Sequence, residues 1–410
     1  MKTKKLPALL VALAMILGLA SCGTGGVEAD FTTGTQAGKG DQTQVSDSSP
    51  AAEGYYSDAW HGDVNYSDME YVHYDYQQFQ EYLEPIYDMA ENGGTQEDFY
   101  NADYELYDQL YYIYTLYTLA DLRATADVTD QNASQESLYM LDVYYDAISS
   151  YYDAMHTVAV SENADLLEAS YSQSLIDYFV AYESSGEEGR EIYSRENDLV
   201  NQYFSLISQP EPDYDAIGEI FIQLVELRQR DAQLLGYDSY ADYAYESVYY
   251  KDYTPEDSQA VWQGVKDYIV PVMMSCGHSV QQQADILYSA DLDYSVGAVL
   301  SALEFVLPQI SEELYEAYEY MYSHGLYDIG YSEDKVSTGF TTVLYYYNEP
   351  FIFNAPTNTY RDYTDMFHEF GHFANYFYTE SDLVFGMSDY DLSELQSQGL
   401  EVLATFFYDD

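Results

Sequence analysis

The segment from Asp365 to Phe373 constrains this chain more than any other part of its sequence. It reads Asp-Met-Phe-His-Glu-Phe-Gly-His-Phe and places His368 and His372 four residues apart within an amphipathic run. In a helix these side chains lie one turn apart on the same face, so both rings can point a nitrogen at one metal ion. The alternative is two histidines satisfied by neighbours on a buried helix face.

The same region offers a base and a third metal ligand. We expect Glu369, next to the first histidine, to take a proton from a zinc-bound water and not to bind the metal itself. A catalytic zinc usually has three protein ligands and one open position, and we predict Glu394 as the third ligand of one Zn²⁺ per chain. In a helix Glu394, Gln398 and Glu401 share one face. We predict that Glu401, or alternatively Asp391, accepts the free ring N–H of a ligand histidine.

Two short segments just before this motif predict β-strands in an otherwise helical chain. Residues 340–345 and 351–353 are β-branched and aromatic, and Asn-Glu-Pro at 348–350 separates them. An exposed strand edge can pair with an extended peptide. We therefore predict Phe353 and Asn354 as substrate-binding residues, with a purely structural hairpin as the alternative.

Most of the chain between about residues 79 and 323 has the apolar period of helices. One example is a stripe of Tyr104, Tyr107, Tyr111 and Tyr114, whose spacing favours core packing over a ligand-binding surface. Helix breaks are predicted at 92–94, 185–186 and 209–212, and a helix start at Thr254-Pro255-Glu256-Asp257.

The charge of the chain excludes several classes of partner. Its formal net charge of -59 comes from 72 Asp and Glu against 13 Lys and Arg. Binding to nucleic acid requires a basic surface that displaces counterions, so no nucleic acid is expected as a partner. The acidic surface is most simply a solvating one, and the alternative is attraction of cationic substrates.

The first residues predict export and a lipid anchor. Residues 1–5 are basic, residues 6–19 are apolar, and Leu-Ala-Ser precedes Cys22, which resembles the lipobox of bacterial lipoproteins. We predict a signal peptide over 1–21 and a flexible tether over 22–54 that begins with lipidated Cys22. The protein would then be anchored to the membrane in the bacterial cell envelope, facing outside the cytoplasm. The alternative is an ordinary signal peptide followed by an incidental cysteine.

These motifs resemble the thimet oligopeptidase and oligoendopeptidase F family of zinc metallopeptidases. The family motif His-Glu-Phe-Gly-His matches residues 368–372, and its later pattern, a Glu followed by x-x-Ser-Gln-x-x-Glu, matches Glu394 to Glu401. A weaker similarity runs from Arg228 to Ala241. The resemblance covers the chain from about residue 60, and it departs in one respect, because chains of the family continue well beyond Asp410.

The resemblance implies a mainly α, multi-helical, clam-like body with a deep substrate channel and a small β-hairpin or sheet beside the metal-binding helix. It implies zinc-dependent cleavage of short unstructured peptides. We predict a helical region over 55–290 and a zinc-binding catalytic region over 291–410 that is incomplete at its C-terminus. The missing part would supply the Tyr and His that stabilise the oxyanion. The competing hypothesis is a non-catalytic peptide-binding surface lipoprotein, against which Glu369 argues, because a binder needs no base beside its metal.

Overall fold

Helices dominate the computed structural model of this protein. The structure describes residues 61–181, 213–249, 251–275, 293–336, 338–379 and 391–407, together with a few positions between these ranges. The helices, in chain order, are α1 (Tyr76–Asn92), α2 (Gln96–Ala126), α3 (Gln131–Ala159), α4 (Gln173–Ala181), α5 (Tyr214–Leu234), α6 (Tyr240–Tyr243), α7 (Pro255–Gly264), α8 (Val296–Ile310), α9 (Glu312–His324), α10 (Arg361–Tyr378) and α11 (Leu395–Ala404). The predicted mainly α fold class is confirmed.

Local sequence signals set several helix ends as predicted. Helix α1 ends at Asn92, and Gly93 follows with φ of 78°, a left-handed conformation that glycine adopts without strain. Helix α7 begins at Pro255, where the Thr254 hydroxyl accepts a hydrogen bond from the Asp257 amide at 3.3 Å. The Asp257 carboxylate in turn accepts the Thr254 amide proton at 2.9 Å, which completes a capping box.

Helices α1, α2 and α3 pack around one large apolar core. Among the side chains fully excluded from solvent are Phe79, Leu110, Ile113 and Met140. Each such side chain contributes roughly 1.5–3 kcal/mol by leaving water, so many residues share the stabilisation of this bundle.

The predicted tyrosine stripe on α2 is mainly a packing surface. Tyr107 is buried, Tyr111 and Tyr114 are half-buried, and Tyr104 is exposed. The rings of Tyr111 and Tyr114 meet Tyr345 edge-on, with centroids 5.6 and 5.4 Å away. The stripe therefore joins the helical bundle to the sheet described below.

A chain of hydrogen bonds crosses the interior of the bundle. Asp103 on α2 is fully buried, and the Tyr171 hydroxyl lies 2.7 Å from each of its carboxylate oxygens. The hydroxyls of Tyr171 and Tyr151 are 2.6 Å apart. A buried carboxylate is tolerated only when it is hydrogen-bonded, and these phenols supply such bonds.

A three-stranded sheet precedes α10. Its strands are β1 (Tyr327–Asp328), β2 (Gly339–Leu344) and β3 (Glu349–Asn354). Strand β3 lies in the centre, parallel to β1 and antiparallel to β2, with Thr341 opposite Ile352. Both predicted strands are confirmed, and in the described part of the chain β2 is an edge strand, because only β3 pairs with it.

Pro350, which the sequence suggests as part of the break between the strands, instead lies within β3. It pairs with Val343 of β2. The amide of Ile352, two residues on, donates to Leu326 on the opposite side of β3. The nitrogen of Pro350 points to that same side, where β1 pairs only from Ile352 onward, so its missing N–H removes no ladder bond.

A second apolar core joins α8, α9, the sheet, α10 and α11. Phe351 on β3 and Phe370 and Phe373 on α10 are fully excluded from solvent within it. This core fixes α10 against the face of the sheet, and the position of α10 determines the geometry of the two histidines.

Several predictions concern residues outside the described ones. They are the signal peptide over 1–21, lipidated Cys22, the tether over 22–54 and the helix breaks at 185–186 and 209–212. Within the described ranges, no helix combines the length and the apolar character needed to cross a bilayer. The division of the chain near residue 290 stays a prediction.

Candidate metal centre

Helix α10 presents two different faces. Glu369, Phe370 and Phe373 point into the core, whereas His368 and His372 are each about 15% exposed. The two histidine rings have centroids 5.1 Å apart. As the spacing predicts, both rings project from one face of a single helix.

Helix α11 approaches α10 at Gly371, the glycine of the motif. A Cβ on Gly371 would lie 2.6 Å from the Cα of Ser397 and 2.8 Å from the carbonyl oxygen of Gln396. Side chains never come so close to backbone atoms, so only glycine permits this contact between the helices. The contact brings the N-terminal end of α11 beside the histidines.

Three side chains then converge on one point. The Nε2 atoms of His368 and of His372 each lie 3.2 Å from the same carboxylate oxygen, Oε2 of Glu394. The three candidate ligand atoms all lie within 4.8 Å of one another. The structure thus brings together the three residues that the sequence predicts as metal ligands, and their role as ligands stays a prediction.

Two neighbours on α11 hold this arrangement. The hydroxyl of fully buried Ser397 lies 2.7 Å from Oε2 of Glu394 and 3.1 Å from its carbonyl oxygen. The side-chain nitrogen of Gln396 donates to the Ser393 carbonyl at 2.7 Å and lies 3.3 Å from Nδ1 of His372. Neither residue has a role that the sequence predicts, because serine and glutamine are not residue types that mark a metal site.

The two carboxylates predicted to support the histidines lie in different places. Oε2 of Glu401 is 3.5 Å from Nδ1 of His368, on the ring edge opposite Glu394. The carboxylate of Asp391 is bound by Nζ of Lys251 at 2.6 Å and by the hydroxyl of Tyr253 at 2.8 Å. Glu401 therefore fits the supporting role, and Asp391 instead fastens the segment before α11 to the segment around Lys251.

Glu369, the predicted base, is almost completely buried beneath the histidines. The Thr341 hydroxyl on β2 lies 2.8 Å from Oε2 of Glu369 and 2.9 Å from its carbonyl oxygen. The pKa of Glu369 is raised to about 7, chiefly by burial and to a smaller extent by the charges of Glu394 and Asp365, while the Thr341 hydrogen bond and His368 lower it. Such a carboxyl exchanges its proton near neutral pH, as a general base must.

The electrostatics of the cluster suit a cation. Burial raises the pKa of Asp365, and the charges of Asp362 and Glu401 raise it to a smaller extent. The carboxylates of Glu394 and Glu401 lie at opposite edges of the His368 ring. Burial lowers the pKa of His372 more strongly than Glu394 raises it. The neutral imidazole that results is the form that binds metals.

The two predicted substrate-binding residues lie on the central strand. Phe353 is fully buried, stacks on Phe340 with centroids 5.0 Å apart, and has the Lys335 ammonium 4.2 Å from its ring centre. Asn354 is 7% exposed. Neither forms an open surface, and the strand edge that can meet an extended peptide belongs to β2. The apolar pattern marks both strands but does not show which of them is central.

Comparison with known proteins yields a fold but no sequence family. No protein-family model matches the chain, and no curated protein matches it significantly. The structure is similar to that of a candidate oligoendopeptidase F from Bacillus anthracis strain Ames, with a TM-score of 0.66 and 19% identity over 82% of this chain and 72% of that one.

Two further solved structures agree with this comparison. PZ peptidase A with an inhibitor gives a TM-score of 0.61 and 19% identity over 82% of this chain and 69% of its own. A second candidate oligoendopeptidase F gives 0.60 and 20% identity, over 83% of this chain and 70% of that chain. The predicted resemblance in fold is confirmed.

Proposed function

We propose, from the oligoendopeptidase F fold together with the convergence of His368, His372 and Glu394 beside Glu369, that this protein is a zinc-dependent endopeptidase of short unstructured peptides. The observation that carries the proposal is the meeting of three ligand atoms within 4.8 Å. A fold alone supports many chemistries, and the side chains gathered at the site favour this one.

The donor set fits zinc. Two imidazole nitrogens and one carboxylate form a common catalytic zinc site, with bonds of about 2.0–2.2 Å. In a tetrahedral site, two donors at such distances are roughly 3.3 Å apart. The observed separations between Glu394 and each histidine nitrogen are 3.2 Å. One zinc ion per chain would also offset the carboxyl groups gathered there.

The residues divide the chemistry among them. Bound zinc would polarise the scissile carbonyl and lower the pKa of the attacking water. Glu369 accepts a proton from that water and passes it to the leaving amine, which its raised pKa permits. Glu401 holds the His368 ring in orientation, and the open edge of β2 pairs with the main chain of an extended peptide.

Cleavage of internally quenched fluorescent peptides tests this proposal. We expect the purified protein to cleave such peptides, to lose activity in a chelator and to regain it with zinc. Glu369→Gln should keep stoichiometric zinc and lose about a thousandfold in kcat, as expected for removal of a general base. A protein that binds zinc and peptides without cleaving them would overturn the proposal in favour of a peptide-binding protein.

We further propose that the enzyme is anchored by lipidated Cys22 in the bacterial cell envelope, facing outside the cytoplasm. The support is the lipobox-like Leu-Ala-Ser-Cys sequence behind a basic and apolar leader. Cys22→Ala should move the protein from the membrane to the soluble fraction, whereas Cys276→Ala, the matched control, should not. Equal membrane retention of both variants would refute the anchor.

A further inference from the structure

Strand β2 contacts the predicted base through one side chain. Thr341 is 9% exposed, and its hydroxyl lies 2.8 Å from Oε2 of Glu369 and 2.9 Å from the carbonyl oxygen of the same residue. The hydroxyl thus fastens the side chain and the backbone of Glu369 to one point on the sheet.

The second carboxylate oxygen lies in different surroundings. Oε1 of Glu369 faces the beginning of β2, where a Cβ on Gly339 would be 3.5 Å away. Because Gly339 has no side chain, no strand side chain reaches this oxygen from that position. The two oxygens of Glu369 are therefore unequal, since Oε2 is hydrogen-bonded to Thr341 and Oε1 lies beside a glycine.

We propose that Thr341 is a positioning residue, whose hydroxyl holds Oε2 of Glu369 and leaves Oε1 as the oxygen that takes the proton from the attacking water. This inference rests on the proposed peptidase function. A free carboxylate could rotate about its terminal bond and present either oxygen, or turn away from the ligands. Misplacement of a catalytic group by about 1 Å can cost a hundredfold in rate.

The sheet makes this contact rigid. Thr341 pairs with Ile352 in the central strand, and Glu369 lies on the buried face of an 18-residue helix. Neither backbone can move without disturbing the apolar core between them. The hydroxyl can therefore be removed while both backbones stay in place. A substitution that keeps the size of the Thr341 side chain but removes its hydroxyl measures what the hydroxyl contributes.

The test compares four variants of the full chain with zinc bound. Thr341→Val removes the hydroxyl and keeps the volume, Thr341→Ser keeps the hydroxyl, and Thr341→Ala serves if the valine variant does not fold. Thr118→Val is the matched control, because Thr118 is a buried threonine whose hydroxyl donates to a helix carbonyl, that of Tyr114, at 2.9 Å in the bundle. For each variant, kcat, KM, zinc content and melting temperature are measured, and a crystal structure is determined.

For Thr341→Val we expect a kcat lower by about tenfold to a hundredfold, with KM and zinc content unchanged and more than one orientation of the Glu369 side chain in the crystal. Thr341→Ser should stay within about threefold of the parent, and Thr118→Val should lose only melting temperature. Serine activity as low as that of valine, or an unchanged Glu369 orientation in Thr341→Val, would overturn the inference. If the parent protein cleaves no peptide, the proposed function fails, and the Glu369 orientation in the crystals still decides the role of Thr341.

Discussion

The α1–α3 bundle and the α10–α11 pair depend on their residues in different ways. In the bundle, dozens of buried side chains share one apolar core, so the loss of one of them removes a small part of the buried apolar surface. In the helix pair, one glycine permits the close approach, and one serine and one glutamate fix the ligands. We therefore expect changes in the bundle to affect whether the chain folds, and changes in the pair to affect the proposed metal binding of the folded chain.

The largest expected effect comes from removing a ligand. His368→Ala, His372→Ala and Glu394→Ala should each abolish zinc binding, whereas Glu401→Ala should keep zinc with an affinity about 10 to 100 times weaker. Metal analysis after dialysis and calorimetric titration would measure this. Stoichiometric zinc in Glu394→Ala would show that Glu394 is not the third ligand.

Next in size is the contact between α10 and α11. Gly371→Ala places a methyl group 2.6 Å from a backbone atom of α11, so the helices must separate and Glu394 must leave the histidines. We expect at least about a tenfold loss of zinc affinity and about 1–3 kcal/mol of stability. Gly399→Ala on α11 is the control, because no described atom beyond its chain neighbours and its own helix backbone lies within 4 Å of the added methyl group. Equal zinc affinity in the two variants would contradict the role of this contact.

A change in the bundle should separate stability from metal binding. Leu110→Ala empties a fully buried position and should lower the free energy of unfolding by about 3 kcal/mol, with zinc affinity and kcat unchanged in the folded protein. Leu138→Ala, at a position that is 39% exposed, is the control and should change little. Denaturant unfolding and zinc titration measure the two effects. A parallel loss of zinc affinity in Leu110→Ala would break the distinction between the regions.

The last prediction concerns pH, and its effect appears only as the pH changes. Burial raises the pKa of Glu349 on β3 to about 7, and the Tyr320 hydroxyl donates to this carboxyl at 2.6 Å. In the unfolded chain Glu349 loses its proton near its ordinary pKa of 4.5, which is a lower pH than in the folded protein. The contribution of Glu349 to stability is therefore greatest below about pH 4.5 and is lost as the pH rises to about 7, by up to about 3 kcal/mol.

Glu349→Gln should remove this part of the pH dependence, because a glutamine has no proton to lose and still accepts the Tyr320 hydrogen bond. Unfolding curves of both proteins between pH 4.5 and 8 would give the difference directly. Identical pH profiles would show that Glu349 ionises in the folded protein as readily as in water.

The sequence predicts the chemistry of the site better than its surroundings. The spacing of His368 and His372 is a property of one helix, so a pattern in the sequence suffices to bring these two together. Glu394 is predicted from its own motif, and the packing of α11 against Gly371 brings it to the histidines. Thr341 cannot be found in this way, because its contact with Glu369 depends on the register of β2 on β3 and on how the sheet packs against α10. A helix cap such as Thr254 depends only on residues close to it in the sequence, so the sequence alone predicts it.

The burial of the two predicted substrate-binding residues has a related cause, and their role stays a prediction. Phe353 and Asn354 belong to a true strand, but the order of strands in a sheet depends on the short strand β1, which is only two residues long and gives no apolar pattern of its own. Once β1 pairs with β3, Phe353 lies on the central strand, and β1 and β2 are the two outer strands. Asp391 likewise binds Lys251, a partner 140 positions away in sequence.

The hydrogen-bonded chain from Asp103 through Tyr171 to Tyr151 has a consequence for how the bundle helices are aligned. Apolar side chains tolerate a slip of one helical turn, about 5.4 Å, because one leucine can replace another in the same space. A buried carboxylate does not, since the slip would part Asp103 from the phenol that binds both its oxygens. The apolar pattern alone would allow several registers of α2 against its neighbours. Asp103 therefore favours the one register in which its carboxylate keeps its hydrogen bonds.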